Sequence, residues 1–315
     1  MDTVKNNAIS NKTKNNEIRG KPRFSVGQFS IHLIIILFCL FCVVPILLVV
    51  SISLSDEMEL VKHGYRLIPE KLSFSAYSYI LKRPGQILNA YMITIIVTLA
   101  GSSLGLLISC MLAYTTTRRD YKYRNITSFI VFFSTMFNGG LIPTYILISK
   151  YLHMKNTLFV LFVPYLVNVG FIFLMRGFLL SIPGALIESA KIDGAGEFRI
   201  FFRIVIPLSK AGLATVGLFY ALMYWNDWWL SLLYIDNNRL VTLQFLLYRI
   251  LSNISFLSKV MSQGIAKNVG ADIVKLPQLS ARMAMCVMAA GPMLFVFPFF
   301  QKYFVRGITI GSLKG

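Results

Sequence analysis

Six long apolar runs separated by shorter polar segments set the pattern of this chain. A helix needs about 20 mostly apolar residues to cross a bilayer, and each run reaches that length. The first run is too long for the core of a cleaved signal peptide, so we expect it to remain as an anchor. The pattern predicts an all-α integral membrane protein with six transmembrane helices. The predicted spans are Ile31–Leu54, Leu88–Thr116, Ile126–Tyr151, Thr157–Leu180, Leu208–Ile235 and Leu279–Phe304.

The polar segments divide the chain into a six-span domain, residues 29–305, and two tails. Residues 1–28 are rich in Asn and Lys, which predicts a disordered cytoplasmic tail. Residues 306–315 are expected to form a second cytoplasmic tail. Two outer connections contain helical patterns, LSFSAYSYIL within 55–87 and LVTLQFLLYRIL within 236–278.

Two local patterns within the spans indicate helix packing and a kink. Gly101-x-x-x-Gly105 permits a close approach of another helix. Pro164 and Gly170 in the fourth span predict a kink, and Asn168 is placed to satisfy a freed backbone group there.

Composition agrees with a membrane protein. The 315 residues are 56% hydrophobic and 14% charged, with a mean hydropathy of +0.66, whereas soluble domains carry about 25% charged residues. The net charge of +18 is spread between apolar runs, so lipid head groups are expected as counterions and nucleic acid is not. The basic loop RRDYKYR favours the cytoplasmic side, and six spans then place both termini in the cytoplasm.

Cysteine and histidine do not indicate a metal site. Cys39 and Cys42 have the spacing of a redox or zinc pair, but they lie within an apolar span without further ligands, so packing is favoured. His32, His63 and His153 lie near predicted membrane edges, and no carboxylate or cysteine is expected at ligand spacing. A membrane enzyme would need a nucleophile–base pair or a metal cluster, and none is found.

The connection at 181–207 is amphipathic and too short to span a membrane. The sequence predicts a short helix over Glu188–Ile192, a break at the two glycines of 193–196, and a second helix from Glu197. Pro207 is expected in the first turn of the fifth span. The residues predicted to pack back on the bundle recur at i, i+3, i+4 and i+7, namely Phe198, Phe201, Phe202 and Val205. Physical pattern alone leaves open an interfacial anchor or a docking element.

A motif favours docking. Glu188-Ser189-Ala190, three residues, Gly194, nine residues and Ile204-Val205-Ile206-Pro207 resembles the EAA loop of ABC-importer permeases. Ser189 and Ile206 depart from the motif's Ala and Leu, and both changes are conservative. Asp193-Gly194-Ala195 resembles the version found in carbohydrate-uptake systems.

Other segments extend the resemblance over most of the chain. Ala113-Tyr114 is similar to the family's AAY segment and Trp225-Asn226 to its WN motif. Residues 139–145 and 307–315 resemble the branch that handles complex oligosaccharides and polysaccharide fragments. The resemblance implies the type I ABC-importer permease fold, in the maltose-type smaller subunit, within the cell membrane.

The same resemblance implies partners and a mechanism. Such permeases pair with a second permease, two ATPase subunits and an extracytoplasmic sugar-binding protein. This chain lacks the phosphate loop G-x-x-x-x-G-K-[ST], so it is expected to bind no cofactor and to be no enzyme, while ATP and Mg²⁺ are used by a separate subunit. The loop would dock on that ATPase. The implied coupling residues are Glu188, Ser189, Ala190, Asp193, Gly194, Ala195, Arg199, Ile204 and Pro207.

Each implied role follows from residue type. Gly194 would make the turn, while Ala190 and Ala195 would keep the loop thin. Polar contacts to the partner are expected from the charged residues Glu188, Asp193 and Arg199.

The translocation path is less defined by the sequence. Asp227 is an acid within a predicted span, where charge is costly, and aromatic residues that could stack on sugar rings surround it. An interfacial aromatic belt explains the same pattern. The aromatics would spread over about 140° of one helix, too wide for all to face a narrow path. The candidates are Tyr224, Trp225, Asn226, Asp227, Trp228, Met136, Asn138 and Tyr145. An ion-driven secondary transporter is the alternative function, and the scarcity of intramembrane acids disfavours it.

Overall fold

The computed structural model describes residues 26–82, 84–137, 139–262 and 278–312, and helices dominate these ranges. Single turns of 3₁₀ helix (Phe159–Leu161, Val163–Tyr165) and π helix (Leu147–Tyr151, Phe201–Val205) join some α-helices. The α-helices are α1 (Val26–Ser53), α2 (Glu57–His63), α3 (Ser75–Ile80), α4 (Pro84–Thr117), α5 (Arg124–Met136), α6 (Leu141–Ile146), α7 (Val169–Leu179), α8 (Gly184–Ile192), α9 (Glu197–Ile200), α10 (Ile206–Leu208), α11 (Lys210–Trp225), α12 (Trp229–Tyr234), α13 (Leu243–Ser262) and α14 (Gln278–Ser312).

Three described helices, α1, α4 and α14, are long and apolar enough to cross a membrane, and up to six spans result if each bent helix pair is one span. The predicted third span is bent by 112° between α5 and α6, and the fourth by 56° before α7. The fifth is interrupted between α11 and α12. The all-α membrane fold is therefore confirmed, and the helices of the third and fifth predicted spans are broken.

The predicted kink in the fourth span is confirmed. Two 3₁₀ turns replace the α-helix around Pro164, and α7 starts after Asn168. The Asn168 side chain accepts a hydrogen bond from the Phe171 N–H at 3.1 Å, and the Tyr220 hydroxyl donates to the Leu166 carbonyl at 3.0 Å. These two side chains satisfy backbone groups that a broken helix leaves free, which is required in an apolar environment.

The core lies where α4 and α11 pack closely together. A Cβ atom at Gly101 would lie 2.6 Å from the Tyr224 ring, and one at Gly105 would lie 2.7 Å from the Tyr220 ring. The predicted close approach at this glycine pair is thus confirmed. The buried hydroxyls have partners, because Tyr220 bonds Ser109 at 2.7 Å and Tyr224 donates to the Phe162 carbonyl at 2.9 Å. The glycines make room for two tyrosines at the centre of the bundle.

Replacing Gly101 by Val is expected to destabilise the bundle. Inserting methyl groups against the Tyr224 ring should cost about 1–3 kcal/mol of unfolding free energy. Thermal unfolding of the purified protein in detergent measures this as a lower midpoint. Gly177→Ala is the control, since a Cβ at Gly177 in α7 meets no atom within 4 Å. An unchanged midpoint for Gly101→Val would show that the packing is looser than the structure indicates.

Contacts at the two ends of α4 show which connecting segments lie at each end of the bundle. Asn89, near the start of α4, donates to the Arg239 carbonyl at 2.7 Å, whereas Arg118, just beyond the end of α4, contacts Glu197. A helix of 34 residues is about 50 Å long. The segment of α8 to α10, which contains Glu197, therefore lies at one end of the bundle. The segments around Asn89 and Arg239 lie at the opposite end. Successive connections are expected to lie at alternate ends of a bundle of spanning helices, and these segments agree with that.

The two predicted tails lie only partly within the described residues. Residues 1–25 of the predicted N-terminal tail lie outside the described residues, and α1 starts at Val26. Helix α14 continues to Ser312, so most of the predicted C-terminal tail from residue 306 is helical.

Candidate coupling loop and translocation path

The segment of α8, α9 and α10, residues 184–208, forms the predicted helix–turn–helix and is called the coupling loop below. Gly194 lies between α8 and α9 with φ of 75°, a conformation in which glycine pays no steric penalty. The Ala195 N–H donates to the Ala190 carbonyl at 2.9 Å, and the Gly194 N–H donates to the Lys191 carbonyl at 3.0 Å. This bond pattern at the end of α8 stabilises a tight reversal.

The small residues lie where the two short helices meet the bundle. Ala190 is buried and Ala195 is half-buried against the core. Larger side chains at these positions would push α8 and α9 apart or away from the bundle. The structure thus gives Ala190 and Ala195 a packing role that agrees with a thin loop.

The predicted apolar face of the second helix is wrong in two positions. Phe198 is 73% exposed and Phe202 is 51% exposed, whereas Ile200, Phe201 and Val205 are buried. The buried Ile200 and Val205 are five residues apart because a π turn occupies Phe201–Val205. A π turn has i→i+5 hydrogen bonds, which interrupt the α-helical period at Phe202. Phe198 lies in α9 before the π turn, and its side chain is exposed.

The outer surface of the coupling loop combines an apolar tip with polar sides. Ile192, at the end of α8, is 86% exposed. The predicted polar contact residues are exposed around it. Those residues are Glu188, Asp193 and Arg199, and the coupling residue Ser189 is exposed as well.

A sharp bend follows the coupling loop. The helical stretch ending at Leu208 meets α11 at 84°, and the Ser209 hydroxyl donates to the Val205 carbonyl at 2.7 Å. Pro207 lies exposed in α10 before this bend, and Ile204 is half-buried. The expectation that Pro207 opens the fifth span is therefore wrong, because the helix of that span starts at Lys210.

A network of charged groups ties the coupling loop to the end of α4. Arg118 lies at its centre, with a side chain only 10% exposed. Its guanidinium donates to Asp120 at 2.8 Å and to Glu197 at 3.2 Å. The Tyr114 hydroxyl donates to Glu197 at 2.9 Å. Lys191 bonds Glu197 at 3.0 Å and also pairs with Asp120. These five residues form the Arg118 network.

The network stays charged through the physiological pH range. Hydrogen bonds from Arg118 and Lys191 hold the pKa of Asp120 well below its usual value. Its contribution is present above the unfolded pKa of about 3.9 and is lost as pH falls through the lowered value. Bonds to Asp120 and Glu197 raise the pKa of Lys191, so its contribution is lost only as pH rises above about 10.4. We therefore expect no titration of these two groups between about pH 5 and 9.

Sequence reasoning assigned only orientation to the basic loop that contains Arg118. Two nearby residues indicated that Arg118 could also form side-chain contacts: the acid Asp120 two residues later and Tyr114 one helical turn earlier. The partner residues Lys191 and Glu197 are distant in sequence, so no local pattern could reveal the network.

The path candidates around the end of α11 fall into buried and exposed residues. Tyr224 is 1% exposed, and Trp225 is buried with its indole N–H donating to the Ala289 carbonyl at 2.9 Å. Both are packing groups in this conformation. Asn226 and Trp228 are exposed in the interruption before α12. Since α11 ends at Trp225, the estimate of a 140° spread around one continuous helix is wrong.

Asp227 caps α12. Its carboxylate accepts from the Leu230 N–H at 3.2 Å and bonds the Tyr165 hydroxyl. A carboxylate that accepts from the first turn of a helix satisfies a free donor there. The structure therefore gives Asp227 a local structural role, and its place on the translocation path or in an aromatic belt stays a prediction.

Asp227→Ala and Asp227→Asn separate this role from a need for charge. We expect Asp227→Ala to lower stability by about 1 kcal/mol, as loss of a cap does, and Asp227→Asn to retain most of it because Asn also caps well. Thermal unfolding and uptake are measured for both variants. Equal loss of uptake in both, with stability preserved in Asp227→Asn, would show that the charge itself is required.

An aromatic recess lies beside the interruption. Trp228 stacks on Tyr248 of α13 with ring centroids 4.8 Å apart. The recess has a volume of about 220 Å³ and includes Gln244 of α13 and Met285 and Ala289 of α14. Rings with a nearby amide suit the apolar faces and hydroxyls of a sugar. Sequence reasoning found Trp228 but missed Tyr248 and Gln244, because their helix was assigned to an outer connection.

The candidates in the third predicted span lie elsewhere. Met136 is exposed at the end of α5, and Asn138 lies outside the described residues. Tyr145 stacks on Tyr234 of α12 with centroids 5.5 Å apart. Tyr145 therefore joins α6 to α12.

The expectation that no carboxylate lies at ligand spacing from a histidine is wrong for His63. The His63 ring lies 2.9 Å from Glu59 and 3.1 Å from Glu70, and Glu70 also pairs with Arg66. Helix α2 puts Glu59 one turn before His63. This cluster of His63, Glu59, Glu70 and Arg66 follows α1, at the end of the bundle away from the coupling loop.

Comparison with known proteins identifies the family. The family model described as "Binding-protein-dependent transport system inner membrane component" matches residues 101–310. The chain belongs to this family. This permease is 36% identical over 281 residues to the polygalacturonan/rhamnogalacturonan transport system permease protein YtcP of Bacillus subtilis (strain 168), covering 89% of this chain and 96% of that one. It is 27% identical over 302 residues to the arabinooligosaccharides transport system permease protein AraQ of the same organism, covering 95% and 100%.

A solved structure supports the same assignment. The permease matches a chain in the crystal structure of a bacterial ABC transporter involved in the import of the acidic polysaccharide alginate, with a TM-score of 0.73 and 27% identity. The match covers 90% of the permease and 100% of that chain. The resemblance to carbohydrate-uptake ABC permeases is thereby confirmed, and the permease is a transporter component of the membrane.

Proposed function

We propose that this permease is the transmembrane subunit of an ATP-driven importer that translocates an oligosaccharide, and that a separate ATPase drives it through the coupling loop. The names of its relatives support a carbohydrate cargo, since they are permeases for pectic and arabinan fragments. The alginate importer supports the same class. The match to the family model extends across the coupling loop.

The observation that carries this proposal is the shape and exposure of the coupling loop. Two short helices reverse at Gly194 and present the exposed Ile192 with charged residues around it. An exposed apolar tip rimmed by polar groups is typical of a protein contact. The chain itself carries no phosphate loop, so nucleotide is handled by the protein that binds there.

Exposed apolar helices support contacts with lipid and with a second permease. The large side chains of α1 are exposed along most of its length, as are Phe129, Ile130 and Phe133 of α5. These faces are suited to lipid and to a second permease. An extracytoplasmic sugar-binding protein would meet the opposite end of the bundle, near α2 and α3. The coupling loop and both termini would then lie in the cytoplasm, in agreement with the basic loop RRDYKYR.

Uptake by the assembled importer in proteoliposomes tests the function. The permease, its partner permease, the ATPase and the binding protein are reconstituted, and labelled pectic or arabinan oligosaccharides are supplied outside with ATP inside. We expect uptake that requires ATP and persists when proton and sodium gradients are collapsed. Uptake that needs an ion gradient and ignores ATP would establish the alternative, a secondary transporter.

A further inference from the structure

We propose that the Arg118 network is a latch that transmits motion of the coupling loop sideways into α4, and that Arg118 is its positioning residue. This inference rests on the proposed coupling of the loop to an ATPase. It adds a route that does not follow the order of the chain. The coupling loop directly precedes α11 in sequence, but Glu197 and Lys191 bond Arg118 and Asp120 just beyond the end of α4.

Both covalent connections of the coupling loop contain joints. Toward α11, the chain bends by 84° at Ser209. Toward α7, residues 180–183 are not helical. A change in these joints can absorb movement of the loop before it reaches either helix, because bends and irregular segments are where helical proteins hinge.

The latch, in contrast, is short and directional. Arg118 is nearly enclosed, and its planar guanidinium holds Asp120 beside it and Glu197 of α9. Lys191 of α8 bonds the same two carboxylates. Charge-assisted hydrogen bonds with a planar donor fix orientation as well as distance. Both short helices of the coupling loop are thus attached to the end of α4.

A ring contact adds to these bonds. Tyr114 lies against Phe201 with centroids 5.4 Å apart, and the Tyr114 hydroxyl donates to Glu197. Tyr114 belongs to α4 itself, whereas Arg118 follows its last turn. The attachment therefore continues into the helix of the span.

Helix α4 leads from the latch to the middle of the bundle. It runs without interruption from Pro84 to Thr117, and its Gly101 packs directly on Tyr224. Tyr224 lies two residues before the interruption that holds Asn226 and Trp228. A shift of α4 would move the residues beside the aromatic recess. The latch accordingly connects the ATPase side to the candidate path.

The test compares Arg118→Met with Arg119→Met in the assembled importer. Methionine keeps an apolar stem but removes the charge, and Arg119 is an exposed neighbour of the same charge. The readouts are assembly with the ATPase, ATP hydrolysis and sugar taken up per ATP. We expect Arg118→Met to assemble and hydrolyse ATP while uptake per ATP falls about fivefold or more, within the usual range of coupling between sites. Arg119→Met should retain the wild-type ratio.

A second variant tests the latch if the Arg118→Met permease does not assemble with the ATPase. Tyr114→Phe combined with Glu197→Gln weakens the hydrogen bonds that Glu197 accepts and leaves Arg118 paired with Asp120. The same loss of uptake per ATP is expected. An assembled latch variant with an unchanged ratio would overturn the latch while leaving the importer intact, whereas ATP-independent uptake in wild type would overturn the function on which it rests.

Discussion

Gly194→Asp is expected to abolish uptake while the protein still inserts and folds. Gly194 has φ of 75° at the reversal of the coupling loop, and a Cβ there meets no atom within 4 Å. The left-handed conformation costs an L residue about 1–2 kcal/mol, which is too little to unfold the bundle. The added carboxylate would project from the surface proposed to dock on the ATPase. Loss of docking is therefore the dominant effect.

Gly196→Asp is a matched control for this variant. Gly196 has φ of −68° and precedes the first turn of α9, where Asp is a favourable cap. Both variants add one negative charge within three residues. Uptake in proteoliposomes and insertion by membrane fractionation are measured for each. Normal transport by Gly194→Asp would remove the docking role of the turn, and equal loss in both variants would show that charge alone matters.

Trp228→Ala is expected to lower uptake about tenfold and to raise the sugar concentration that gives half-maximal uptake. Trp228 stacks on Tyr248 in the aromatic recess. Loss of an aromatic surface that stacks on a ring costs about 1–3 kcal/mol by analogy with base stacking, and 1.4 kcal/mol corresponds to tenfold. Trp228→Phe should retain more uptake than Trp228→Ala, because it keeps an aromatic face.

Phe256→Ala is the control for the recess. Phe256 lies on the same helix α13 and is exposed, but it is two turns beyond Tyr248. ATP hydrolysis and assembly should be unchanged in both Trp228→Ala and Phe256→Ala. A Trp228→Ala variant with wild-type sugar dependence would place the path away from this recess.

The apolar pattern predicted the all-α membrane fold, because each span needs a long run of lipid-compatible residues. Among the described residues, three helices meet that requirement unbroken, and up to six spans result if each bent pair is one span. The sequence also predicted the close packing at Gly101 and Gly105 and the kink at Pro164, since both depend on local backbone chemistry. The reversal at Gly194 belongs to the same class. In each case a residue type with a special backbone property marks the structure directly.

Features that depend on distant contacts could not be read in this way. The interruption after Trp225 has no proline or glycine to mark it and is stabilised by Asp227, Tyr165 and Leu230 together. The π turn at Phe201–Val205 interrupts the period that predicted Phe202 as buried. The aromatic recess needs two helices, α13 and α14, together with Trp228 of the interruption, and only their packing brings these residues together.

Site-specific photocrosslinking from Ile192 tests the central claim most directly. Ile192 is the exposed tip of the coupling loop, and Val61 is an exposed apolar residue of α2 at the other end of the bundle. A photoreactive amino acid is placed at either position in the assembled importer, with and without ATP. Capture of the ATPase subunit from Ile192 but not from Val61 is the predicted result. Absence of ATPase capture from Ile192 under every nucleotide condition, in a complex that assembles, would contradict the account.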